Sequence, residues 1–150
     1  MTENFLKHLD KARRYCDYQE RCIADVKDKM RVSEASEEEI SRIIAILLEE
    51  SLLNEQRFAA SFARGKLRSN LWGKNKIRMA LQMKRIDKST IQQALDELDE
   101  TEYRDRLQYI IDHYKPKGVN LAIRKLKTAR YAIQKGFESD LVWRTVKSEE

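Results

Sequence analysis

Lys74, Arg78 and Arg85 stand in a segment, Leu71 to Leu95, that carries six lysines and arginines against one acid. On a helix, spacings of four and seven residues put these three cations on one strip beside an apolar stripe of Ile77 and Leu81. Lys76 adds another charge in the same segment. Arg124, Lys127 and Arg130 follow later at a spacing of three, with Lys125 and Lys135 nearby. Long basic stems pack on a helix while their heads reach an anion, so both groups suit phosphate or an acidic protein surface.

The charge distribution sharpens this reading. Residues 1–50 hold 9 basic and 12 acidic side chains, whereas 51–100 hold 10 and 6, and 101–150 hold 11 and 7. From Ser61 to Thr90 nine lysines and arginines face Asp87 alone, and from His113 to Gly136 seven face no acid. A solvated face of ordinary helices would account for one such window. Two in related positions point to an anionic partner.

Other chemistry finds little support. There is no glycine-rich phosphate loop, no nucleophile elbow and no HExxH. Cys16 and Cys22 lack CxxC spacing, and His8 and His113 are far apart, so neither a metal nor another cofactor is expected. The cysteines read as reduced, buried or half-buried thiols. No apolar run approaches the ~20 residues needed to cross a bilayer. With no secretory leader in the first fifteen residues, a cytoplasmic, non-membrane protein is expected.

The elements that must position the cations are helical. Proline occurs once and glycine four times, and charged residues make up 37%. Phe5, Leu6, Leu9 and Ala12 mark a first helix, and Cys22, Val26 and Met30 a second. Ser36 with Glu39 forms a capping box ahead of Ile40, Ile43, Ile44 and Leu47. Phe58, Ala59, Phe62 and Ala63 mark a fourth, ending near Asn70. Gly73 opens a fifth, and Asp87 or Lys88 a sixth with Ile91, Ala94, Leu95 and Leu98. A seventh holds Leu107, Ile110, Ile111 and Tyr114, and is stopped by Lys115-Pro116-Lys117-Gly118. Leu121 to Lys135 is closed by Gly136, and Phe137 to Val146 holds the ninth. Trp72, Trp143 and the tyrosines at 103, 109, 114 and 131 read as packing residues.

Nine helices invite a search for repeats. Ile40, Ile43, Ile44 and Leu47 recur 51 residues later as Ile91, Ala94, Leu95 and Leu98, and after another 51 as Val142, Thr145 and Val146. The preceding helix recurs at 51 between Ile77, Leu81, Arg85 and Thr128, Ala132, Gly136. It aligns backwards at 55 with Cys22, Val26 and Met30, which places four extra residues in the loop after the second helix. Three units of three helices follow, at about residues 1–51, 52–100 and 101–150. One unit buries too little alone, so neighbours must stack and share a core. Phe58, Ile77, Leu81, Ile91, Leu95 and Leu98 are the expected core of the middle unit. Two non-enzymatic classes fit: a DNA-binding protein of helix-turn-helix-like modules, and a regulator fitting a partner's groove.

The stretch from Glu49 to Leu95 resembles the central repeat of the RecX family, bacterial regulators of the RecA recombinase. The marks are Leu52-Leu53, Arg57-Phe58-Ala59, Gly73 with Ile77 and Leu81, then Lys84, Ile86 and Ile91. Lys135-Gly136-Phe137 adds the family's closing pattern, and the likeness covers roughly residues 12–147. Asn54-Glu55 replaces the usual aspartate pair, Arg85 replaces a glycine, and Tyr18 stands where a small residue is common. The resemblance implies an elongated, curved stack of three tri-helical repeats with no catalysis of its own, and a monomer is expected. It implies binding in the groove of the RecA–single-stranded DNA filament, restraining strand exchange, ATP hydrolysis and repressor self-cleavage. Contacts to filament protein and to single- or double-stranded DNA would then fall to Lys74, Lys76, Arg78, Arg85, Arg124, Lys125, Lys127 and Arg130. A helix-turn-helix protein acting on DNA without RecA is the alternative.

Overall fold

A computed structural model describes residues 2–148. Among these the chain forms nine α-helices: α1 (Glu3–Tyr18), α2 (Ile23–Val32), α3 (Glu37–Glu49), α4 (Glu55–Asn70), α5 (Lys74–Met83), α6 (Lys88–Asp96), α7 (Glu100–His113), α8 (Leu121–Gln134) and α9 (Ser139–Lys147). Most starts are set locally. The side chains of Thr2, Ser36, Asn54, Asp87, Asp99 and Asn120 each accept from the backbone N–H three residues on, satisfying a donor the helix leaves free. At Ser36 the box closes both ways, with Glu39 N–H donating to Oγ at 3.1 Å and Glu39 Oε1 accepting from Ser36 N–H at 2.9 Å.

Helices α1–α3 pack together, as do α4–α6 and α7–α9, and α4 also packs on α7. The second and third trios share one core, built on Phe58, Ile77, Leu81, Leu95, Tyr103, Leu107, Ala132 and Phe137. Ile91 and Leu98 are buried in it as well. The first trio has a core of its own around Phe5, Met30, Ile40, Ile43 and Leu47. Cys22, in the turn before α2, joins the other core. The common core expected of all three units is therefore two cores. The accessible surface of 9457 Å² exceeds the roughly 8,000 Å² of a compact protein this size, as an extended stack requires.

The repeat is visible in the backbone. Glu34, Arg85 and Gly136, each 51 residues from the next, have φ of 67°, 59° and 105°. Each ends the second helix of its trio in a Schellman turn. Ala35, Ile86 and Phe137 donate to the carbonyls of Met30, Leu81 and Ala132 at 3.0, 3.1 and 3.2 Å. This corrects the register of the first unit: Val26 and Met30 correspond to Ile77 and Leu81 at 51, with no insertion. The 55-residue alignment failed because a slip of four is about one helical turn. It keeps the apolar face and so cannot be told apart by periodicity.

Three side chains depart from expectation. Leu6 and Tyr109 are exposed, Leu6 because Phe5, Leu9 and Ala12 already fill the buried face of α1. Arg85 lies beyond the last residue of α5. Its left-handed turn, not helical spacing, sets its direction.

Candidate functional site

Gly73, the N-cap of α5, has no side chain to cap with, and the helix is capped by tertiary structure instead. Gly73 N–H donates to the carbonyl of Lys135 at 2.8 Å, and Asn75 N–H to that of Gly136 at 2.9 Å. Lys74 N–H donates to the Tyr103 hydroxyl at 2.9 Å. The carbonyls just past the end of α8 thus meet the first donors of α5, and the negative end of one helix dipole faces the positive end of the other. Two glycines make this possible. A Cβ on Gly73 would lie 2.3 Å from the Gly136 carbonyl carbon, and one on Gly136 would lie 2.5 Å from Lys76 Cβ. Tyr103 is buried, packs with its ring centre 5.0 Å from that of Phe137 in a tilted pair and donates to Glu138. Burial first, then that carboxylate, raises its pKa and keeps the phenol protonated.

The joined helices carry the cations. Neither α5 nor α8 contains an aspartate or glutamate, whereas α2 has Asp25 and Asp28. Lys74 and Lys76 lie in the first turn of α5, their ammonium groups 4.8 Å from the ring centres of Tyr103 and Trp72 respectively. Arg78 is held by Asn75 Oδ1 at 2.7 Å, and Arg85 is exposed on its turn. In α8, Arg124 donates to the Gly118 carbonyl at 3.1 Å, Lys127 donates to the Lys117 carbonyl, Lys125 is half-buried and Arg130 is exposed. Lys74, Lys76, Arg78, Arg85, Arg124, Lys127 and Arg130 form no ion pair with a carboxylate among the described residues. The first trio differs, with Arg13 bound to Glu50, Arg14 to Asp10 and Arg31 to Glu37.

Between the first two trios the corresponding junction is made by side chains. Cys22 and Arg85 stand where Gly73 and Gly136 stand in the other. Cys22 N–H donates to Asp25 Oδ2 at 3.2 Å, Ile23 N–H to Glu55 Oε1 at 2.9 Å, and Lys84 Nζ to Asp25 Oδ1 at 2.8 Å. Burial opposes charge on both members of the last pair, but their hydrogen bond and attraction prevail. Asp25 sits below its ordinary 3.8 and Lys84 above its ordinary 10.5. Burial raises Glu55. Arg57 binds Glu20 and the Ser51 carbonyl, so it serves this junction.

Sequence reasoning missed Lys66, whose ammonium lies 4.9 Å from the Trp72 ring centre, and Tyr103 at the α5 junction. Lys66 lies in the acid-poor window Ser61–Thr90, which is a signal; the contact of Tyr103 with α5 left none. Among the described residues, no group of His, Cys, Asp and Glu is placed to hold a metal ion, and no helix is long and apolar enough to cross a membrane.

The architecture defines an all-α protein of tandem three-helix repeats, with one acid-free cationic helix, α5 or α8, in each of its second and third trios. A family model described as RecX, second three-helix domain, matches residues 54–95. Regulatory protein RecX of Clostridioides difficile (strain 630) is 28% identical over 146 residues, spanning 96% of this chain and 68% of that protein. Its counterpart in Bacillus subtilis (strain 168) is 29% identical over 139 residues, spanning 91% and 52%. The crystal structure of RecX from Lactobacillus salivarius superposes with a TM-score of 0.82 at 23% identity, covering 99% of this chain and 97% of that one. The chain is thus similar to RecX proteins over nearly its whole length.

Proposed function

We propose that this chain is a regulator of the RecA recombinase with no catalysis of its own, acting in the cytoplasm as a monomer. Its repeats, at about 1–51, 52–100 and 101–150, lie in the groove of the RecA–single-stranded DNA filament and restrain strand exchange, ATP hydrolysis and coprotease activity. Lys74, Lys76, Arg78, Arg85, Arg124, Lys125, Lys127 and Arg130 supply the contacts. The observation that carries this reading is the end-to-end junction of α8 and α5, two helices without an acid. It brings together two helices whose cations suit a repeating anionic polymer.

The test is to reverse Lys74, Arg78 and Arg85 to glutamate and titrate RecA filaments, reading ATP hydrolysis. Inhibition should be lost. The urea midpoint should change little, because the Lys74–Tyr103 hydrogen bond uses backbone and the ring contact is worth only about 0.5–1 kcal/mol. Unchanged inhibition removes these cations from the mechanism. Binding to naked DNA as tight as to the filament would favour the RecA-independent alternative.

A further inference from the structure

Two lysines from two helices converge on one indole beside the α8–α5 junction, and a third stands at the junction itself. Lys66 of α4 and Lys76 of α5 place their ammonium groups 4.9 and 4.8 Å from the centre of the half-buried Trp72 ring. Lys135, the C-cap of α8, is half-buried, and its carbonyl accepts from Gly73. None of the three pairs with a carboxylate among the described residues. Burial, and then the charge of Lys76, lowers the pKa of Lys135, so like charges are crowded here. Such crowding costs stability unless an anion relieves it. The neighbouring aromatic ring is characteristic of surfaces that follow a nucleic-acid strand.

The geometry points to a phosphate-binding clip at this junction, in which Lys66, Lys76 and Lys135 hold a backbone phosphodiester of single-stranded DNA beside Trp72. The site stands whether or not RecA is the partner, since it needs only a strand. It joins the second and third trios, so a bound phosphate is held by both.

Trp72 reports on the site directly. In a Trp143→Phe background of the full chain, a thymidine 16-mer should change Trp72 emission saturably. Lys76→Gln and Lys135→Gln should each weaken that binding by about tenfold or more. Each should also reduce the slope of log K against log salt by about 0.7, the value for one single-strand phosphate contact. Lys135→Gln should not lower the thermal midpoint, because it relieves repulsion; a lysine that served only structure would lower it. An absent response, or lysine variants that bind as tightly as the parent, would overturn the proposal. So would a response to inorganic pyrophosphate or polyglutamate without one to the oligonucleotide. A chain that passes this test yet fails to inhibit RecA keeps the clip and loses the regulatory reading; the converse result separates them the other way.

Discussion

Replacing Gly73 by alanine perturbs the junction without touching a charge. The new methyl would sit 2.3 Å from the Gly136 carbonyl carbon and the Phe137 nitrogen, and 2.5 Å from the Gly136 oxygen. All three are backbone atoms and cannot rotate away. Contact at about 3.5 Å requires the end of α8 to retreat by roughly 1 Å. That lengthens the 2.8 and 2.9 Å bonds from Gly73 and Asn75 beyond useful range. Two hydrogen bonds at about 1 kcal/mol each, with about 1–3 kcal/mol for the forced repacking, give a loss of about 3–5 kcal/mol. Gly65 is the control. It lies inside α4, and an added Cβ meets nothing within 4 Å. Alanine there should stabilise by about 1 kcal/mol. Urea unfolding followed by circular dichroism reads both, and hydrogen exchange at Asn75 should accelerate only in Gly73→Ala. A Gly73→Ala chain within 1 kcal/mol of the parent would refute the claim that backbone contact joins the second and third trios. Inhibition of RecA by that variant should fall although every cation is present, because the two cationic helices no longer abut.

Lys84→Met tests the other junction through pH. Asp25 is depressed, so its contribution is present above about pH 4 and lost as pH falls through its folded value; Lys84 is elevated, so its contribution is lost as pH rises past about 10.5. The stability difference between parent and variant should be largest between about pH 5 and 9 and shrink at both extremes. A difference independent of pH would remove this pair from the junction. Arg85→Gly should stabilise by about 1 kcal/mol by relieving a left-handed residue with a Cβ, while weakening inhibition of RecA. Loss of both would mean that Arg85 is structural. Tyr103→Phe should cost about 1–3 kcal/mol, since the Lys74 N–H and Glu138 lose their shared partner; an unchanged urea midpoint would show that water replaces the hydroxyl.

Features decided within a few residues were legible in the sequence. Ser36 with Glu39, Asp87 ahead of Ile91, and Gly136 after Lys135 announce helix ends, because a cap bonds to its own helix. The 51-residue step between the second and third units was also plain, and so was the absence of acid from α5 and α8. The first unit was not legible to within a turn. Its second helix shows the same apolar face at 51 and at 55, and the left-handed Glu34 that settles the register bears no glycine to mark it. Tyr109 is exposed although its chemistry suits burial, because Tyr103, Leu107 and Ile110 already occupy the inner face of α7.

Local hydrogen bonding and apolar periodicity, both written in the order of residues, determined the helices, their tripling and the supply of positive charge. Only the tertiary structure decided that Gly73 meets Gly136 while the start of α2 is tied by Glu55 and Lys84 to the second trio. It alone divided the molecule into two cores, set Lys66 and Lys76 over Trp72 and brought Lys135 to the same junction. These outcomes depend on which helix ends approach each other across long stretches of chain, a choice made by the packing of whole trios.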